Sequence, residues 1–437
     1  MSAALRLLDL PLIGGPVPWI LGAAGAAAGT VLLAGRGRCW WVRVVPATLL
    51  GSALIALLVA LFVDQVWRPF PDPLPPVVVL ALAGVLAAGG LTVAAFPARG
   101  RGGRVGSVVA LLVVVVVAAQ SLNGVYREYP TLRTVLGLPA PDQLPFTDVA
   151  PRAPLVPARP GRPVAQAWTP PRDLPAAGVV TEVDVPGPQS GFAARPAMVY
   201  LPPAYLTSPR AELPVLVLMA GQPGEPRDWF DGGLLAQRLD AYAAVHAGLA
   251  PVVVVVDQLG DPLRNPLCMN STLGRVATYL SVDVPAWIRA TLQVNPDTAT
   301  WAIGGFSNGG TCSLQMAVTA PQVYRTFLDI SGEAEPTLGD HAATVAAAFG
   351  GDEAAFAAVN PLDVLAARSF PGTAGYLVAG AQDDEYRPQA VRVYDACRAA
   401  QLDVQLHVIP GGHTFEVWGP GLSGALPWLG TRLGITG

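Results

Sequence analysis

Four stretches within the first 122 residues carry no Asp, Glu, Arg or His: 12–34, 44–63, 74–96 and 105–122. Each has about 18 to 23 residues, the length a helix needs to cross a hydrocarbon core of ~30 Å. A cleaved leader accounts for the first alone, and the pattern then recurs three more times. Buried helices of a soluble protein rarely repeat such a stretch four times in so short a span. The chain is therefore expected to open with a four-helix transmembrane module over residues 1–125. Composition agrees: of 437 residues, 52% are hydrophobic and 13% charged, against about 25% charged in a typical soluble domain.

The connecting loops predict an orientation. Arg36, Arg38 and Arg43 lie between the first two stretches, and Arg99, Arg101 and Arg104 between the last two. The middle loop holds Arg68 with Asp64 and Asp72. An excess of Arg marks cytoplasmic loops, so both termini and everything beyond about Asn123 are expected outside the cytoplasm. No ionisable residue falls inside any of the four stretches, which disfavours a pump, proton relay or ion pathway. Small residues over 22–29 and 81–90 suit close helix packing, so the module reads as an anchor in membrane lipid.

Between 139 and 173 the character changes, with ten Pro in 35 residues, several at three-residue spacing from Pro151 to Pro163. Residues 126–173 read as a Pro-rich linker, extended and without its own core. Fully stretched, its reach is on the order of 100 Å, an upper limit because packing on the following domain is the alternative. A short interfacial helix is expected over 126–138.

From residue 174 to 437, short apolar runs alternate with helical stretches. Strands are expected at 179–185, 197–201, 214–219, 251–256, 300–304, 326–330, 375–379 and 404–409. Helices are expected at 233–246, 276–292, 310–319 and 388–400. Runs such as Val252 to Val256 suit strands buried on both faces. Strands alternating with helices imply a mostly parallel sheet, so the fold class is α/β.

Directly after the fifth strand comes Gly304-Gly305-Phe306-Ser307-Asn308-Gly309-Gly310. Gly305-x-Ser307-x-Gly309 has the form of a nucleophile elbow, in the strand–turn–helix context that holds a serine above a sheet. A serine nucleophile needs a base, and the chain has four His. His246 and His341 lie in helical or polar segments and His407 inside the last strand, where structural roles suffice. His413 follows that strand in Pro410-Gly411-Gly412-His413 and fits the order Ser, acid, His of α/β-hydrolases. The acid is expected after the seventh strand, in Ala379-Gly380-Ala381-Gln382-Asp383-Asp384-Glu385. The spacing Gly-x-x-Asp points to Asp383, whose role is to orient the imidazole; Asp384 is the alternative and Glu385 a weaker one. Oxyanion donors are expected from the backbone N–H groups of Asn308, next to the nucleophile, and Gln222, in the turn after the third strand. Asp257, Asp261 and Asn265 follow the fourth strand, as lining of a substrate mouth or as loop caps.

These segments resemble the esterase D-type family, which includes carboxylesterases, feruloyl esterases and actinobacterial mycolyltransferases. The resemblance rests on 219–229, 301–310, 327–332, Gly411-Gly412-His413, Trp418 and Pro427-Trp428-Leu429, and spans the domain from about 174 onward. Four spans ahead of such a domain are similar to a group of membrane-bound actinobacterial esterases. Ala220 departs from the Asp or His often found before the oxyanion glycine, and the acid loop carries more carboxylates than one triad uses. The resemblance implies a serine esterase acting through an acyl-enzyme, with acyl transfer, hydrolysis of aminoacylated lipids or an inactive envelope scaffold as alternatives. The expected partner is an ester of an envelope lipid or glycan.

Four Cys in a chain this long do not make a disulfide scaffold, and no C-x-x-C occurs. An extracytoplasmic domain nonetheless permits a Cys268–Cys312 bond, leaving Cys397 free in a helix and Cys39 reduced in a cytoplasmic loop. No metal site or cofactor is expected. A net charge of −4, with all 27 basic residues Arg, offers no basic face for nucleic acid.

Overall fold

The computed structural model describes residues 7–35, 37–67, 73–140, 143–149, 152–159 and 161–437. Arg36, Arg68, Asp72, Pro151 and Pro160 lie outside the described residues. The chain forms two compact units, Met1–Pro139 and Ala140–Gly437.

The first unit holds four apolar helices: α1 (Val17–Leu33), α2 (Val45–Phe62), α3 (Pro76–Ala95) and α4 (Arg101–Tyr126). Helical turns on both sides of α2 make a continuous run of Trp40–Trp67. Three of the four, those carrying α2, α3 and α4, are long and apolar enough to cross a membrane; α1, at 17 residues, is shorter. The expected first stretch began at residue 12, but Gly14 and Gly15 take left-handed conformations (φ 76° and 68°). They turn the chain just before Pro16, and the helix starts only at Val17. Small residues set the packing. A Cβ on Gly25 would lie 3.1 Å from Val117, and one on Gly90 would lie 2.7 Å from Thr48. Outward positions such as Leu50, Leu54 and Leu58 on α2 are exposed leucines. The Arg99 guanidinium, in the turn before α4, donates to the Val31 and Ala34 carbonyls at 2.8 Å each and to Ser107. It thereby satisfies the carbonyl end of α1.

The second unit is built on eight strands: β1 (Val179–Val183), β2 (Ala197–Leu201), β3 (Val215–Met219), β4 (Val252–Val256), β5 (Trp301–Phe306), β6 (Thr326–Ile330), β7 (Ala374–Gly380) and β8 (Asp403–Ile409). Their order is β8-β7-β6-β5-β3-β4-β2-β1, parallel except for β2, which runs antiparallel to both β1 and β4. β3 to β7 are buried along their whole lengths, as strands covered on both faces must be. Five helices flank the sheet: α5 (Leu235–Ala244), α6 (Val284–Thr291), α7 (Asn308–Thr319), α8 (Tyr386–Ala399) and α9 (Phe415–Arg432). Ile288, Leu314 and Val393 of α6, α7 and α8 join one apolar cluster. Leu239 of α5 with Trp418, Leu422 and Leu429 of α9 joins the other.

The structure differs from expectation in four places. The helix expected over 276–292 is interrupted by a wider turn at Tyr279–Asp283, just before Pro285, which cannot donate to a preceding carbonyl. The Pro-rich segment does not stand apart from Ala140 onward. Leu155–Val156 pairs with Arg210–Ala211, Val164 and Trp168 are buried, and the Trp168 indole donates to the Ala247 carbonyl at 2.9 Å. In the expected interfacial segment Tyr126 ends α4, and beyond it only Leu132–Val135 is helical. The longest helix of this unit, α9, is not among the expected helices and carries Pro420 and Pro427 within it.

Candidate active site

β5 ends at Phe306 and α7 begins at Asn308, so Ser307 is the single residue between strand and helix. Its backbone sits at φ 53°, ψ −123°, which a residue with a Cβ adopts only under constraint. The constraint is visible. The Ser307 N–H donates to the Ile330 carbonyl at 2.8 Å and its carbonyl accepts from Thr311 at 3.1 Å. A Cβ on Gly305 would lie 2.4 Å from the Gly309 carbonyl carbon, and one on Gly309 would lie 2.3 Å from the Met219 carbonyl oxygen. Both glycines of the elbow are therefore steric requirements.

β5, β7 and β8 point their carboxyl ends the same way, and the loops beyond them meet. His413 Nε2 stands 2.9 Å from Ser307 Oγ, and His413 Nδ1 stands 3.0 Å from Asp383 Oδ2. The other Asp383 oxygen accepts the Tyr386 N–H at 3.0 Å. An imidazole protonated at Nδ1 donates to the carboxylate and leaves Nε2 to accept the serine hydroxyl proton. Asp383 is buried, whereas the Asp384 side chain is 93% exposed and pairs with Arg387 at 3.3 Å. Glu385 accepts from Gln389 at 3.4 Å. The expected alternative acid thus faces solvent, one residue out of register with the histidine.

The other histidines have different partners. His246 bonds the Tyr242 carbonyl at 2.7 Å, His341 lies between Glu335 and Glu353, and His407 stacks on Tyr376. Asp257 pairs with Arg195 at 2.7 Å and accepts the Leu259 and Gly260 N–H groups. Asp261 caps Leu263, and Asn265 caps Leu267. These three are loop caps. Cys268 and Cys312 are bonded, with Cα atoms 5.5 Å apart; Cys39 and Cys397 are free. Burial pushes the Cys397 thiol up to about 12, so it stays protonated and inert at neutral pH.

An aromatic collar around the histidine escaped sequence reading. Tyr386 stacks on the His413 ring, and Trp418 meets it edge-on with centroids 5.1 Å apart. Trp418 in turn stacks on Phe306 at 4.3 Å. A Cβ on Gly221 would lie 3.2 Å from Ser307 Cβ, so the Gly221-Gln222 turn runs directly beside the elbow. Asn308 opens α7, where N–H groups have no intrahelical acceptor. Beneath the elbow, fully buried Asp329 accepts the Gly332 N–H at 2.9 Å. Burial raises its carboxyl to about 7, against the opposing pull of that hydrogen bond.

The Putative esterase family model matches residues 193–429, more than half of the chain. The chain belongs to the esterase family. It is accordingly a carboxylic-ester hydrolase with the α/β-hydrolase fold. A relative, an uncharacterized protein of Corynebacterium glutamicum, is 36% identical over 415 residues and covers 92% of both chains, so likeness to it extends into the apolar helices ahead of the esterase domain. A ferulic acid esterase of known structure superposes with a TM-score of 0.51 at 17% identity, covering 60% of this chain and 100% of that one. An S-formylglutathione hydrolase from Agrobacterium tumefaciens gives 0.50 at 17% identity, covering 60% and 97%. At such identities the two structures are similar in fold.

Proposed function

We propose that this esterase is a membrane-anchored serine hydrolase whose catalytic domain faces the extracytoplasmic side. The observation that carries the reading is the relay from Asp383 through His413 to Ser307, with both hydrogen bonds at 3.0 Å or less. Ser307 attacks the ester carbonyl while His413 Nε2 takes its proton, and the developing oxyanion is received by the N–H groups of Gln222 and Asn308. His413 then returns the proton to the leaving alcohol, leaving an acyl-enzyme. Water, activated by the same nitrogen, releases the acid and restores Ser307. A relay at hydrogen-bond distance argues against an inactive scaffold. Water needs no dedicated acceptor site, so hydrolysis is preferred to acyl transfer.

The apolar helices and the positions of Arg38, Arg43, Arg99, Arg101 and Arg104 support four spans with both termini outside. Tethering raises the effective concentration of lipid and glycan esters at the surface, which favours envelope esters as substrates.

Fluorophosphonate labelling of the full chain in liposomes tests the chemistry. Wild type is expected to label and Ser307→Ala to remain unlabelled while inserting normally; a labelled variant refutes the nucleophile. Cysteine-accessibility scanning from outside tests the topology. Sites beyond residue 123 are expected to react and those in 35–43 and 97–104 to be silent. Product analysis with lipid esters distinguishes free acid from transferred acyl group.

A further inference from the structure

Two backbone segments supply the proposed oxyanion donors, and they arrive from different strands. Gln222 follows β3 and Asn308 follows β5; β3 also pairs with β4, with Met219 opposite both Val256 and Gly305. The three strand ends therefore lie abreast, and Gln258, two residues beyond β4, stands at the seam. Gln258 is 1% exposed. Its single carboxamide nitrogen donates to the Ala220 carbonyl at 2.7 Å and to Asn308 Oδ1 at 3.1 Å. The first bond holds the residue that leads into Gly221-Gln222. The second holds the side chain of the residue whose N–H is the other donor. Asn308 Nδ2 then reaches Asn265 Oδ1 at 3.4 Å, in the loop that the Cys268–Cys312 bond ties to α7.

A buried amide is costly unless its hydrogens are used, and both are used here on the two walls of one hole. Residues 219, 220 and 309 pack backbone against backbone, since a Cβ on Gly309 would also come within 2.7 Å of the Ala220 carbonyl oxygen. Van der Waals contact sets how closely the walls approach. The β3–β5 pairing ends at Met219 and Gly305, and beyond it the shared donor links the two walls.

We propose that Gln258 is a positioning residue for the oxyanion hole, setting the register between the Gln222 and Asn308 N–H groups. This rests on the reading of Ser307 as nucleophile. Loss of a whole oxyanion donor lowers the rate 10²–10³-fold, so misplacement of two is expected to cost about 10- to 100-fold in kcat.

The test uses the full chain in detergent, with p-nitrophenyl acetate as substrate and phenylboronic acid as a probe that forms a tetrahedral adduct on the serine. For Gln258→Leu, kcat is expected to fall about 10- to 100-fold with KM within about twofold, and the boronate inhibition constant to rise by the same factor as kcat falls. Gln258→Asn, which keeps the amide one methylene short, is expected between wild type and Leu. Gln258→Met replaces Leu should the latter not fold. A folded variant with wild-type kcat and boronate affinity overturns the proposal, even if its thermal midpoint drops, because Gln258 is then a structural pin only. Failure of all three variants to fold also overturns it. Ser307→Ala is assayed alongside: retained activity there removes the underlying nucleophile reading, whereas its loss combined with unaffected Gln258 variants removes this inference alone.

Discussion

Tyr386 lies face to face with His413, ring centroids 3.8 Å apart and planes inclined by 21°. The same residue donates its backbone N–H to Asp383. One residue thus holds Asp383 through its main chain and His413 through its ring. Aromatic pairs of this kind contribute about 0.5–1.5 kcal/mol. Tyr386→Leu is therefore expected to lower kcat roughly two- to tenfold, and Tyr386→Phe, which keeps the stacked ring, to stay near wild type. Steady-state kinetics on a p-nitrophenyl ester decide it.

The two adjacent aspartates of the acid loop are expected to part company on mutation. Asp383→Asn removes the carboxylate facing Nδ1 and favours the wrong imidazole tautomer, a change that costs on the order of 10⁴ in kcat in a serine triad. Asp384→Asn alters an exposed ion pair with Arg387 and is expected to leave kcat within about twofold. Equal losses in the two variants would refute the assignment of the acid.

Asp329 gives the fold a pH dependence of definite sign. Its folded carboxyl titrates at about 7, raised by burial from the ordinary 3.8. The native state therefore binds this proton more tightly than the unfolded chain does. Stability from this group is fully present below pH ~4, declines as pH rises toward 7 and is level above, a loss on the order of 4 kcal/mol. Asp329→Asn keeps the acceptor for Gly332 and removes the titration. The thermal midpoint of the variant is expected to gain on wild type between pH 5 and pH 8, measured in the same detergent.

The Cys268–Cys312 bond closes a loop with a sequence separation of 44 residues. The chain-entropy relation gives ~4 kcal/mol for a loop of that size. Cys312→Ser is expected to lower the thermal midpoint under non-reducing conditions, and dithiothreitol to bring wild type down to the same value. A midpoint insensitive to both would show that the bond contributes nothing to stability.

Much of the esterase domain was legible because its signals are local. β2 and β6 coincide with the expected 197–201 and 326–330. The elbow announced itself through the short Gly305-x-Ser307-x-Gly309 pattern, although only the Gly305 contact is local; Gly309 is required by the distant Met219 carbonyl. The helix α9 was not legible, since two prolines outweigh local propensity. It forms because Trp418, Leu422, Leu426 and Leu429 recur every three or four residues and are buried together. Gln258 gave no signal, because its role exists only once three strand ends are side by side. The packing of 140–173 was hidden likewise: proline spacing describes a free chain, and Trp168 finds its carbonyl 79 residues away.

Arg99 gives the apolar unit a property that counting charges misses. It belongs to the Arg-rich turn before α4, and its guanidinium fork is engaged with Ser107 and the last carbonyls of α1. Lysine would preserve the charge and offer only a compact ammonium in place of that planar fork. The last carbonyls of a helix have no intrahelical donor and must find partners elsewhere. With Arg99 supplying their partners, α1 can stop at Leu33 after 17 residues, so a helix shorter than its three neighbours is completed by a side chain lent from the turn before α4.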